Sequence, residues 1–209
     1  MDSSESKMTA ARIFELNGLL SPDAPLMEIV RRIHALCSAS GLAYCVIGGV
    51  AVIRNGYRRT TTDVDILINK ADWEKLLPLK GEIVSSGIDS CVDAKTGVSI
   101  DVLFSGEDWG MPIPMPDPAK VSEFDPRLGA RFITLHELVQ LKTAVYLAKL
   151  AEEGEDVASK DRSDVFELIR NNLPEFSEPV IQAYHPALRE HCMRAYASAR
   201  RSEPKRPPK

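Results

Sequence analysis

The spacing of apolar positions along this chain changes several times, and each change marks an element. From Leu26, residues Ile29, Val30, Ile33, Leu36 and Cys37 recur at helical spacing until Gly41 ends the pattern. Ala43 to Ile47 is nearly all apolar, as a buried strand is. Gly48-Gly49 turns the chain into a short helix ending at Asn55-Gly56, and a second strand opens at Asp63. In that strand Val64, Ile66 and Ile68 alternate with Asp63 and Asp65, which therefore share a face about 6–7 Å apart. Asn69 to Leu77 reads as a helix with Trp73, Leu76 and Leu77 on one side; Pro78 allows a kinked continuation to Gly87. Ile88–Asp93 and Val98–Phe104 flank the hairpin-length loop Ala94–Gly97, which predicts antiparallel neighbours. Asp101 then lies opposite in facing to Ile100, Val102 and Phe104.

The second half reads differently. Gly106, Gly110, Pro112, Pro114, Pro116, Pro118 and Pro126 exclude long regular elements from residues 105–130, which reads as a functional flap or partner-binding segment packed down by Trp109 and Met111. Arg131-Phe132-Ile133 predicts a short strand. Thr134 and Glu137 form a capping box before a helix that carries Leu138, Leu141, Val145 and Leu147 to about Leu150. Ala151–Ser159 reads as an acidic, flexible connector, and Lys160–Asp164 as the start of a helix buried through Val165, Leu168 and Ile169. A last helix, Glu178–Arg200, is interruptible at His185-Pro186. At the other end, a polar disordered start precedes a short helix over Thr9–Leu20. This is an α/β (α+β) unit of roughly 130 residues followed by a helical part, with no internal repeat.

Composition narrows the class. The chain has 209 residues, 44% hydrophobic and 27% charged, which is ordinary for a globular protein. A net charge of −4 supplies no global basic field to draw nucleic acid, so an RNA partner requires a local patch. No apolar run approaches a membrane span, and the N-terminus lacks the pattern of a signal peptide. The four cysteines, Cys37, Cys45, Cys91 and Cys192, are scattered without metal-ligand spacing, so buried thiols in a reducing cytoplasm are expected. His34 and His136 read as structural.

The chemistry concentrates at the second strand. Two carboxylates side by side repel, and a divalent cation with hard oxygen ligands resolves the conflict. The Gly-Gly turn lets backbone approach a phosphate. Gly48-Gly49, followed by Arg59-x-Thr61-x-Asp63-x-Asp65 and a third acid, Asp101, on a later strand, resembles the signature of the DNA polymerase β-like nucleotidyltransferase superfamily. It is most similar to the small bacterial branch that holds abortive-infection and toxin–antitoxin nucleotidyltransferases.

That resemblance implies a mixed sheet flanked by helices, a catalytic domain over residues 26–133, and a helical C-terminal part over 134–200. Flexible segments would cover 1–25 and the basic tail 201–209. It implies that Asp63, Asp65 and Asp101 bind magnesium or manganese and are catalytic, and that Gly48 and Gly49 cradle the triphosphate. Gly49 stands where the family often has serine, which shifts phosphate binding towards amides and basic side chains. Arg59 and Arg58 would meet phosphate oxygens. Lys142, and Asp161 from the segment Lys160-Asp161-x-x-Asp164, match positions that bind nucleotide in related enzymes. The bland alternatives are a solvated face for Lys142, and an N-cap and first helical turn for Asp161 and Asp164. The expected reaction is transfer of a nucleoside monophosphate from an NTP to tRNA, protein or a small molecule, with a possible antitoxin protein as partner. The alternatives are an inactive nucleotide-binding module or a phosphotransferase using the same metal site.

Overall fold

The computed structural model describes residues 24–76, 83–85 and 90–202. The polar start and the Thr9–Leu20 helix lie outside the described residues, as does the tail beyond Ser202.

Among the described residues a single mixed sheet of seven strands has the order β3-β4-β5-β2-β1-β7-β6. The strands are β1 (Tyr44–Val46), β2 (Asp63–Ile68), β3 (Ile83–Ser85), β4 (Ser90–Asp93), β5 (Ser99–Phe104), β6 (Ser122–Asp125) and β7 (Ala130–Ile133). The central pairings set up the site. β2 runs antiparallel to β1 and parallel to β5, with Asp65 opposite Asp101 in register. β4 and β5 are antiparallel, as the hairpin-length loop predicts. Asp93 ties that loop down, accepting from the Thr96 backbone at 2.8 Å and the Thr96 hydroxyl at 2.6 Å. From the first helix, Arg32 pairs with the same carboxylate.

Eight α-helices accompany the sheet among the described residues: α1 (Pro25–Ala39), α2 (Gly48–Arg54), α3 (Lys70–Leu76), α4 (Pro118–Val121), α5 (Leu135–Glu152), α6 (Glu155–Asn171), α7 (Glu178–Gln182) and α8 (Pro186–Ser202). Of the stripe its sequence spacing marks, α1 buries Leu26, Ile29, Val30, Ile33 and Cys37 and leaves Leu36 half-buried; Met27 is buried as well, and the helix packs against β2 and β7. α5 packs on α2 and α6, and α8 lies against both α5 and α6. All four cysteines are buried, and none is in a disulfide. Among the described residues no helix is long and apolar enough to cross a membrane.

Several expectations are corrected. The helix at Lys70 does not run on to Gly87, because Ile83–Ser85 is a strand. The 105–130 segment holds no long element, as expected, but is not wholly irregular: it contains the four-residue α4 and β6, an edge strand that pairs with β7. Its sequence, Ser-Glu-Phe-Asp, exposes both Glu123 and Phe124, so no alternation announces it. Asp125 makes the hairpin turn itself, accepting from Arg127 and Leu128 backbone at 3.0 and 3.1 Å. Trp109 does not pack the loop down: it is 49% exposed.

The acidic connector is helix. Only Glu153 and Gly154 separate α5 from α6, whose first turn holds Glu155 and Asp156, favoured there by the helix dipole. The buried side of α6 runs through Ala158, Asp161, Asp164, Val165 and Leu168. Two of those inward positions are aspartates, which is why the apolar period vanishes upstream of Val165. Thr134 is the N-cap of α5 as expected, yet its side chain makes no capping hydrogen bond. Its backbone N–H is already given to the Val121 carbonyl at 2.9 Å, so the reciprocal bond from Glu137 has no donor. His136 is structural, bonding the Tyr184 hydroxyl at 2.7 Å and packing edge-on to Phe176.

Candidate active site

β2 is apolar and buried at every position except its first and third, Asp63 and Asp65. These carboxylates and that of Asp101 each place one oxygen within 4.8 Å of the others, a spacing suited to a shared cation. The register between β2 and β5 makes this cluster: parallel pairing brings Asp101 directly beside Asp65. Burial pushes the Asp65 pKa above the usual carboxylate range, and the negative charge of Asp63 adds to the shift. A site that makes ionisation costly for its own carboxylate is one that a cation would relieve.

The Gly-Gly turn is explained by the carboxylates. The Ile47 N–H donates to the Asp65 carbonyl at 3.0 Å, which extends the β1–β2 pairing and sets Gly48 against the Asp65 side chain. Gly48 has φ +58°, and a Cβ there would fall 1.7 Å from Asp65 Oδ2. A Cβ on Gly49 would fall 2.1 Å from Thr61 Oγ1. The Gly49 N–H donates to Asp65 Oδ2 at 3.2 Å, and Thr61 donates to Asp63 Oδ1 at 2.8 Å. Each acid of the pair is thus oriented by a neighbour from the loop that precedes it or the turn that faces it.

Opposite the acids lies a buried ion network. Lys142 Nζ sits 3.0 Å from both Asp161 Oδ1 and Asp164 Oδ2. Lys149 reaches the other oxygen of Asp161 at 2.7 Å. Arg59 places Nε 2.7 Å from Asp164 Oδ1 and donates through Nη2 to Oδ2 at 3.1 Å. Burial alone would drive the Lys142 ammonium towards losing its proton, but Asp164 and Asp161 outweigh it and hold its pKa above the ordinary value. Burial likewise opposes ionisation of Asp161, and Lys142 with Lys149 reverses the balance, so its pKa is lowered. Asp161 and Asp164 are therefore neither N-cap nor first-turn residues but the buried anions that hold three cations together.

A cavity of about 400 Å³ joins these parts, lined by Gly48, Gly49, Arg59, Asp63, Asp65, Lys142 and Asp161 among others. Of the residues expected at the site, all are brought together here or at the acid cluster except Arg58, which is exposed and does not line the cavity. Lys149 was missing from that set, and Asp164 had been weighed, with Asp161, against a place in a first helical turn. Lys149 follows Lys142 by seven residues and Asp164 follows Asp161 by three, so each pair shares a helix face. On its apolar wall, Leu141 and Val145 belong to the stripe that the sequence spacing marks on α5, whereas Leu103 and Met115 had no sequence signal.

No protein-family model matches the chain, nor does any curated protein sequence. Among solved structures it is similar to an antigenic nucleotidyltransferase-like protein from Paracoccidioides brasiliensis, at 18% identity and a TM-score of 0.51, covering 83% of this chain and 86% of that one. It is also similar to ANT(2")-Ia in complex with adenylyl-2"-tobramycin, at 12% identity and a TM-score of 0.50, covering 81% of this chain and 98% of that one. The fold is that of the nucleotidyltransferases. At such identities the likeness extends to the fold alone. Within the nucleotidyltransferase fold, the mixed sheet flanked by helices is as the sequence resemblance implied.

Proposed function

We propose that this protein is a metal-dependent nucleotidyltransferase, moving a nucleoside monophosphate from an NTP to an acceptor and releasing pyrophosphate. The observation that carries the reading is the cluster of Asp63, Asp65 and Asp101 on two paired strands of a nucleotidyltransferase fold, with Asp63 and Asp65 lining an open cavity. The donor set, three carboxylate oxygens on a rigid sheet, fits magnesium or manganese. Divalent cations held there would neutralise charge on the triphosphate and lower the pKa of the attacking hydroxyl.

The chain's own residues divide the remaining work. Gly48 and Gly49 put no side chain into the space that Asp65 and Thr61 fill, and the turn's backbone cradles the triphosphate beside them. Arg59 and Lys142, drawn together by Asp164, present positive charge to its oxygens. The acceptor oxygen bonds to the α-phosphorus as the bond to the bridging oxygen of the β-phosphate breaks, and pyrophosphate leaves. Asp101 orients the acceptor hydroxyl and receives its proton.

The acceptor candidates are tRNA, a protein hydroxyl and a small molecule. The sequence resemblance to toxin–antitoxin nucleotidyltransferases favours a toxin with an antitoxin partner, acting in the cytoplasm. ANT(2")-Ia, bound to an adenylylated aminoglycoside, favours the small molecule.

The test is a thermal-shift series with ATP, GTP, CTP and UTP, with and without magnesium, on wild type and Asp63→Asn. A magnesium-dependent rise with at least one nucleotide, absent in the variant, is expected. No rise with any nucleotide would favour an inactive module.

A further inference from the structure

A second cavity, of about 500 Å³, opens where α5, α6 and α8 meet, and it shares no lining residue with the catalytic one. Its size falls in the range of small-molecule sites, roughly 300–1,000 Å³. Tyr146 of α5, Phe166 of α6, His191 of α8 and Tyr57 from the loop after α2 give it aromatic walls. Tyr57 is held there by the end of α6: Asn171 donates to the Gly56 carbonyl at 3.2 Å, and Asn172 to that of Asn55 at 2.8 Å. Tyr146 and His191 meet edge to face, with ring centroids 5.9 Å apart. Thr143, Ala195 and Ser198 also line the cavity and are too small to fill it.

Several polar groups on these walls are unengaged. Among the described residues, the Tyr57 hydroxyl, the Ser198 hydroxyl and the His191 ring nitrogens have no hydrogen-bond partner. Burial, then Arg194, lowers the His191 pKa, so this ring meets the cavity uncharged at neutral pH. Positive charge comes from Arg162 on α6 and Arg194 on α8. Their partners, Glu155 and Glu190, lie outside the lining. Exposed pairs of this kind are worth little, so the arginines are readily taken over by a stronger anion. The one carboxylate in the lining, Glu167, is already within 2.6 Å of Arg170. Aromatic faces accept a planar ring by stacking, and two guanidinium groups accept a phosphate through charge-assisted hydrogen bonds. The unengaged hydroxyls and imidazole suit the polar edges of a base and its ribose.

The cavity also borders the buried ion network. Thr143 follows Lys142, Arg162 follows Asp161, and Tyr57 stands two residues before Arg59. Every segment that holds the network therefore contributes to this cavity as well. We propose that the cavity is an effector site for a mononucleotide, separate from the catalytic site and coupled to it through Arg59, Lys142 and the aspartates that hold them. The binding is independent of the nucleotidyltransferase reading; the coupling rests on it.

The test is calorimetric titration in EDTA with AMP, with adenosine as the ring without the charge, and with inorganic phosphate as the charge without the ring. AMP is expected to bind, and the other two at least about tenfold more weakly. Arg162→Ala with Arg194→Ala, and separately Tyr146→Leu, are each expected to weaken AMP about fivefold or more without altering magnesium–nucleotide binding. Both arginines are exposed, so their loss spares the fold. With magnesium and a non-hydrolysable NTP analogue present, the AMP dissociation constant should shift about fivefold or more and then saturate, which direct competition would not do. Equal binding of adenosine or phosphate, tighter binding of a single-stranded RNA oligonucleotide, or indifference to both sets of substitutions would overturn the site. An AMP affinity unchanged by bound magnesium–nucleotide, or displaced without limit, would overturn the coupling. AMP binding in a protein that binds no magnesium–nucleotide would uphold the site and remove the transferase reading, and the coupling with it.

Discussion

Asp65 is crowded as few surface carboxylates are. Its Oδ2 takes the Gly49 N–H, occupies the space a Gly48 side chain would need, and lies beside Asp63 and Asp101. Burial, then Asp63, raise its pKa in the folded chain. The sign follows from linkage: a group whose folded pKa is raised stabilises the fold below its unfolded pKa, near 3.9, and that contribution is lost as pH rises through the folded value. Without metal, Asp65→Asn is therefore expected to be more stable than wild type at pH 7, by on the order of 1 kcal/mol or about 2–4 °C for a chain of this size. The advantage should shrink towards zero as pH falls to about 4. Melting curves in EDTA across that range check it; a variant less stable at every pH would show that Asp65 is held by its hydrogen bond and not strained by its charge. At this scale the sequence was informative. A period of two put Asp63 and Asp65 on one face, and the glycines stood where the acids needed room. Their reason is only partly the expected one, since what presses on them is the protein's own Asp65 and Thr61.

At the scale of elements, α5 and α6 are fastened by charge as much as by apolar packing. Lys142 is largely buried between Asp161 and Asp164, which are 2% and 0% exposed. Removing one partner from such a group leaves charge buried without compensation, at a cost of about 3–5 kcal/mol. Lys142→Met is thus expected to lower the melting temperature by roughly 6–20 °C while also weakening nucleotide binding. A double-mutant cycle with Asp164→Asn should show strong coupling. Unchanged melting with lost nucleotide affinity would mean that the lysine serves the ligand alone. This network was hidden because buried aspartates look, in a sequence, like the solvated side of a helix. The same substitution of charge for apolar residues turned the start of α6 into an apparent linker. The hairpin of β6 and β7 escaped for a related reason: an edge strand that exposes Glu123 and Phe124 has no alternation to read.

At the scale of the whole molecule, the site is assembled from segments far apart in the chain: the Gly-Gly turn, the loop and strand 59–65, Asp101, and two helices after residue 134. Local patterns announced most of those segments. What no local pattern holds is register: that Asp65 faces Asp101 follows from parallel pairing of β2 with β5, with β4 and β3 beyond them. The hairpin prediction made this placement possible without requiring it. Long-range pairing also explains why the cavity's second wall was unseen, since the loop bearing Trp109 meets α5 only in the folded chain. The central claim, that these three acids form one metal centre, is open to a direct measurement. Manganese is titrated into the protein with a non-hydrolysable NTP analogue, and unbound ion is followed by electron paramagnetic resonance. Wild type should take up manganese in a nucleotide-dependent way, and Asp63→Asn and Asp101→Asn should each lose that uptake while remaining folded. Equal uptake by all three proteins would contradict the account.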